Sequence, residues 1–170
     1  GQPFQPSMAT AAAALQRGRG AEAIDALTNA LGAPGLSRED ELAIRCAMAE
    51  AWLLRDDVTR AASVLGRPPD VLRERMSPSR QSAMWRLHGR IASLRGDQSR
   101  AIALLGRAAR QAELALDSRA IGLAHYELAV CYRQVGDPAI VREHLGTAIS
   151  ALNAAGDRRF VAQCHSLMGI

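Results

Sequence analysis

The chain has 170 residues, 48% of them apolar, and a formal net charge of +4 in which every basic residue is Arg and none is Lys. That length suits about one domain, and with only two Trp, two Tyr and two Phe its core must be built from Ala, Leu, Ile and Val, which favours packed helices over strands. Cys46, Cys131 and Cys164 are odd in number and far apart, which excludes a disulfide framework and a Cys-x-x-Cys zinc pattern.

No apolar run approaches the roughly eighteen residues of a membrane span, and no secretory signal opens the chain, so a soluble, cytoplasmic protein is expected. The missing lysine reads as the codon usage of a GC-rich genome. The Arg are spread along the chain, whereas a dedicated nucleic-acid face clusters its charge.

Taken in order, Gly1 to Ser7, with Pro3 and Pro6, read as a disordered or tag-like lead (residues 1–7). Ser7 is placed to cap a helix running to Arg17, broken by Gly18-Arg19-Gly20. A partner helix from Ala21 to about Leu31 ends at Gly32-Ala33-Pro34-Gly35. Ser37-Arg38-Glu39-Asp40 has the form of a capping box opening a helix to about Arg55. Asp57 then caps a short helix that Gly66-Arg67-Pro68-Pro69 stops. Val71–Met76 is expected to add a helical turn or two.

Ser79 is expected to cap the next long helix, with Met84, Leu87, Ile91 and Leu94 on one face. Gly96 stops it, and Asp97 caps a partner whose Ala101, Leu105, Ala108 and Ala112 make a small-residue seam. Asp117 or Ser118 starts the following helix, Gly136 is its left-handed stop, Asp137 caps the next, and Pro138 takes the first helical position. Gly156-Asp157 opens a last helix expected to run through Ile170.

These units superimpose on one another. Gly18, Asp56, Gly96 and Gly136 fall at the turn, at spacings of 38, 40 and 40 residues. Five residues on come Ala23, Ala61, Ala101 and Val141, and four further Leu27, Leu65, Leu105 and Leu145. Self-similarity at such a period is the signature of a stacked solenoid. The predicted units are 8–35, 36–77, 78–117, 118–156 and a partial 157–170.

With Trp85, Gly89, Gly96-Asp97, Ala101 and Ala108 at that family's spacing, and Leu128, Tyr132, Gly136-Asp137 and Ala148 repeating it, the chain resembles the tetratricopeptide-repeat (TPR) family. Its period near forty is similar to the longer-repeat subgroup of kinesin light chains and bacterial signalling regulators. His88 in place of Leu, Asp56-Asp57 in place of Gly-Asp, and the absent closing proline depart from the pattern. The resemblance implies an all-α, right-handed superhelical solenoid of antiparallel helix hairpins. It also implies a protein–protein interaction module, such as the scaffold or sensing segment of a larger cytoplasmic bacterial regulator. Alternatives are a small-ligand-sensing solenoid that gates an attached effector domain, and an Arg-rich nucleic-acid binder.

The resemblance also marks a concave groove lined by Glu50, Arg86, Arg90, Tyr126, Arg133 and Gln134. Arg86 and Arg90 are four apart, hence on one helix face, and with Arg133 a repeat later they form a fork for an acidic or C-terminal peptide. The plainer reading is a solvated Arg face. His125 and His165 share one repeat position and are expected at an interhelical contact instead of a metal, and Cys131 as a core thiol. No catalytic, cofactor or metal residues are assigned, and no enzyme activity is expected. Phe160, Val161, Cys164, Leu167 and Met168 form an apolar stripe lacking its partner helix. It is expected either to be covered by a continuation of the chain or to serve as a terminal interface for self-association.

Overall fold

The computed structural model describes residues 4–68 and 75–169, and all the regular structure among them is α-helical. They divide into two compact units, Gly1–Arg67 and Pro68–Ile170. The turns expected at Val71–Met76 fall, for residues 71–74, outside the described residues, while Arg75 and Met76 are not helical.

The first unit holds α1 (Phe4–Gln16), α2 (Gly20–Leu31), α3 (Arg38–Leu54) and α4 (Val58–Leu65). α1 starts at Phe4, ahead of the expected Ser7 cap, so residues 4–7 of the predicted lead are helical. Pro6 is accommodated because first-turn amides have no intrahelical acceptor to lose. The capping box forms as read: Ser37 Oγ accepts from the Asp40 amide at 3.0 Å, and the Asp40 carboxylate accepts from the Ser37 amide at 3.4 Å. Asp56, standing in the glycine column, takes the left-handed conformation with φ 56°. Leu27 and Ile44 are fully buried among Ala11, Ala23, Ala30 and Ala51, and each such aliphatic side chain contributes about 1.5–3 kcal/mol on burial.

The second unit holds α5 (Pro78–Leu94), α6 (Gln98–Leu114), α7 (Ser118–Val135), α8 (Pro138–Ala155) and α9 (Arg158–Met168). α5 pairs with α6 and α7 with α8, α7 also packs on the first of these hairpins, and α9 packs on α8. The cap of α5 is Ser77, whose Oγ accepts from the Arg80 amide at 3.2 Å, with Pro78 at the first helical position. Ser79, expected in that role, instead donates to Asp117 Oδ2 at 3.3 Å.

Asp97, Asp117, Asp137 and Asp157 each accept from the amide three residues on, at 3.0–3.2 Å, and a cap of this kind stabilises by about 1 kcal/mol. α9 was expected to run through Ile170, which lies outside the described residues. Gly169, at φ 82°, closes it at Met168.

Small residues set the hairpin spacing. Ala101, Leu105, Ala108 and Ala112 are fully buried, as the seam predicted. Between α5 and α6, Ser82 donates to the Ala108 carbonyl at 2.8 Å. Forty residues later the same joint has Gly122, where a Cβ would overlap Leu152 Cγ and stand 2.8 Å from its Cδ2. Apolar clusters form around Trp85, Leu105, Leu128 and Cys131 and around Leu145, Leu152 and Cys164.

Candidate functional site

Tyr126 of α7 is half-buried and packs against the cluster of Ala129, Leu145 and Leu152. Its ring meets Phe160 of α9 edge-on, centroids 5.9 Å apart and planes at 69°. Phe160 is fixed there by the first turn of α9: Asp157 caps the Phe160 amide, and Arg119, 3.1 Å from Asp157, lies over the Phe160 ring at 5.9 Å. Burial pushes the Tyr126 phenol above its ordinary value, helped by Glu127 and Cys164, while Arg90 and Arg133 pull it back. Arg90 of α5 and Arg133 of α7 therefore both act on the same phenol.

Arg90 Nε stands 3.8 Å from Glu127 Oε1, a loose pair with the Arg side chain 32% exposed. At that length the pair is not a close hydrogen-bonded one, and with Glu127 15% exposed it is only partly screened by solvent. Arg133 is exposed and has no ion-pair partner among the described residues.

Arg90, Tyr126 and Arg133 are thus within electrostatic reach of one another, whereas the other residues expected in the groove are placed differently. Arg86 is 8% exposed, so its guanidinium is an interior group and not the second arm of a surface fork. Gln134 Oε1 accepts from Gln98 Nε2 at 2.7 Å, which ties the ends of two neighbouring hairpins. Glu50 lies half-buried on α3 in the other unit.

The C-terminal stripe is not bare. Cys164 is fully buried, and Phe160, Val161, Leu167 and Met168 are partly buried against Ala129, Val141, Leu145 and Leu152. Part of the stripe is used up because α9 docks on α8, which buries Cys164 fully and the other four residues in part. What stays open is a cavity of about 310 Å³ between the α7–α8 turn and the end of α9. Its apolar lining is Val141, Leu145, Leu167 and Met168, and Arg133 and Arg142 stand at it.

One contact escaped the sequence. His125 Nδ1 and His144 Nδ1 lie 2.9 Å apart between α7 and α8, and His144 stacks on Tyr132 with centroids 5.4 Å apart. Burial lowers the pKa of both. His144 lowers that of His125 further while Glu113 opposes the shift, and Glu143 opposes it at His144. His165, expected to share the role of His125, is exposed. His144 has Leu104 as its counterpart one repeat earlier, so the repeat carries no sign of it. Cys131 is the core thiol expected, and burial raises its pKa. Among the described residues no three His, Cys, Asp or Glu side chains gather as a metal site would require.

No protein-family model matches the chain, and no curated protein matches it. Solved structures do. The nearly identical TPR-like repeats of a kinesin light chain protein from Podosopora anserina superimpose with a TM-score of 0.63 at 17% identity, over 97% of this chain and 92% of that one. A point variant of those repeats gives 0.64 at 18%, over 98% and 86%. At that identity the likeness speaks for architecture, and the architecture is clear: this chain has the TPR-like repeat fold.

Proposed function

We propose that the chain is a protein-interaction module that takes an acidic peptide segment on the surface formed by α5 and α7. The observation that supports this reading is a half-buried aromatic, Tyr126, set edge-on against Phe160 at 5.9 Å, with exposed Arg133 two helical turns on along α7 and the 32%-exposed Arg90 side chain on the preceding hairpin, paired to the neighbouring Glu127 at 3.8 Å. A half-buried aromatic that shares a surface with two guanidinium groups offers a flat apolar contact and two carboxylate donors, the combination enriched where proteins bind peptides. The TPR-like architecture supports it too, because stacked hairpins present an extended surface in place of an enclosed reaction chamber. The setting we favour is a scaffold or sensing segment of a larger cytoplasmic regulator.

Fluorescence polarisation against a library of labelled acidic and C-terminal peptides tests the reading. Selected peptides should lose about tenfold or more in affinity with Arg90→Ala combined with Tyr126→Ala, as loss of a charge-assisted contact and an aromatic anchor requires. A library with no binders, or binders indifferent to both changes, would refute it.

A further inference from the structure

The outer face of α6 carries side chains that the packing of the second unit does not use. Opposite the buried seam of Ala101, Leu105, Ala108 and Ala112, the residues Arg100, Ala103, Arg107, Arg110 and Leu114 recur at intervals of three or four and form one stripe along the helix. All five are exposed. Arg107 is held over the Trp85 ring at 5.1 Å, and none of the three arginines has an ion-pair partner among the described residues. The stripe is cationic over about 15 Å of helix and ends in leucine.

The leucines at that end are a second, independent observation. Leu114 is 71% exposed, and Leu116, two residues on in the turn, is 88% exposed. Leu116 also stands at φ 53°, where other turns of this unit have Gly96, Gly136 and Gly156. The left-handed conformation strains any residue with a Cβ and suits glycine, so folding gains neither packing nor geometry from a leucine there.

The acids nearby are engaged elsewhere. Asp97 and Asp117, at the two ends of α6, cap the Arg100 and Ala120 amides. Glu113, about 100° around the helix from Leu114, lies within electrostatic reach of His125. Nor does the repeat require the stripe. Forty residues on, the same positions of α8 and its turn hold Ile140, Glu143, Thr147, Ser150, Ala154 and Gly156.

We infer that this stripe docks on an anionic lipid bilayer, with the three arginines meeting headgroup phosphates and Leu114 and Leu116 entering the acyl boundary. Guanidinium groups pair bidentately with phosphate. Bare leucines need an apolar phase behind the anionic layer, which a bilayer has and a nucleic acid lacks. The stripe shares no residue with the α5–α7 surface, so the inference is independent of the peptide-binding reading.

Co-sedimentation of the full chain with vesicles of equal parts phosphatidylglycerol and phosphatidylcholine tests it. Binding at low salt is expected to these vesicles and not to phosphatidylcholine alone, and should weaken as salt is added. Arg100→Gln and Arg110→Gln should each weaken it about fivefold, the share of one arginine at an anionic surface. Leu116→Gly should weaken it about tenfold while the Tm rises, so the loss cannot be assigned to unfolding. Arg17→Gln, at an exposed position of the first unit, removes the same charge and should leave binding unchanged. The inference is overturned if the anionic vesicles are not bound, if neutral vesicles are bound equally, if Leu116→Gly binds as the parent does, or if Arg17→Gln costs as much as Arg110→Gln. Binding to a short DNA duplex in place of the vesicles would assign the arginines to nucleic acid and overturn it likewise.

Discussion

The joint between α7 and α8 allows one substitution to be tried twice with opposite signs. Gly122 and Gly146 both lie inside helices of the second unit, where Ala is intrinsically better than Gly by about 0.8–1 kcal/mol. At Gly146 an added Cβ meets nothing within 4 Å, so Gly146→Ala should stabilise by about that amount. At Gly122 the new carbon would overlap Leu152 Cγ, stand 2.8 Å from Cδ2 and 3.3 Å from the Ala148 carbonyl oxygen.

Leu152 is fully buried and cannot swing aside. Outright overlap with a buried branch carbon belongs in the upper half of the about 1–3 kcal/mol that overpacking costs, so after the propensity gain Gly122→Ala should destabilise by about 1–2 kcal/mol net. For a unit of this size that is a fall in Tm of roughly 4–16 °C by circular dichroism, against a rise of a few degrees for Gly146→Ala. Leu152→Ala should lose less stability in the Gly122→Ala background than in the parent, because the clash and the cavity offset each other. Equal Tm values for Gly122→Ala and the parent, or additive losses in the double variant, would refute the close-approach argument.

Other outcomes follow from the turns and the buried groups. Leu116 is 88% exposed with φ 53°, in the column where Gly156 stands. Leu116→Gly should therefore gain about 1 kcal/mol in urea denaturation, since no packing is lost and the left-handed strain is relieved. His125 and His144 have folded-state pKa values below their ordinary 6.5. The unfolded chain therefore takes up protons first, and stability present above pH 6.5 should decline as the pH falls below it. His125→Gln with His144→Gln should flatten that decline between about pH 7.5 and 5.5, and an unchanged slope would place its origin elsewhere. Cys46, Cys131 and Cys164 are all buried, and burial raises the pKa of Cys131 and Cys164. A thiol-specific chromogenic disulfide should label none of them in the native protein and all three in denaturant.

The architecture was legible because the repeat places punctuation at fixed columns. Asp57, Asp97, Asp137 and Asp157 cap where read, and Gly96, Gly136 and Gly156 turn where read. Where two residues competed for one job, pattern did not decide. Ser77 caps α5 because Pro78 follows it, whereas Ser79 is one of several serines by composition alone. The candidate site was legible only in part. Helical spacing puts Arg86 and Arg90 on one side but says nothing of how deep each sits, and depth separates them. His144 had no column to announce it. The stripe from Phe160 to Met168 was recognised as apolar, yet a helix pattern cannot tell solvent from the neighbour that α8 provides.

The two oxygens of one carboxylate couple folding to stacking along the second unit. Asp117 Oδ1 caps its own helix while Oδ2 receives Ser79 from 38 residues earlier, and Asp157 does the same with Arg119. At the opposite end of these helices Gln98 ties α6 to Gln134, but its counterpart is Pro138, which has no side-chain donor. The last joint is therefore pinned at the Asp157 edge and lacks this tie at the other. Thermal motion of α9 should behave as a door on a single hinge, with amides near Leu167 and Met168 exchanging before those near Phe160.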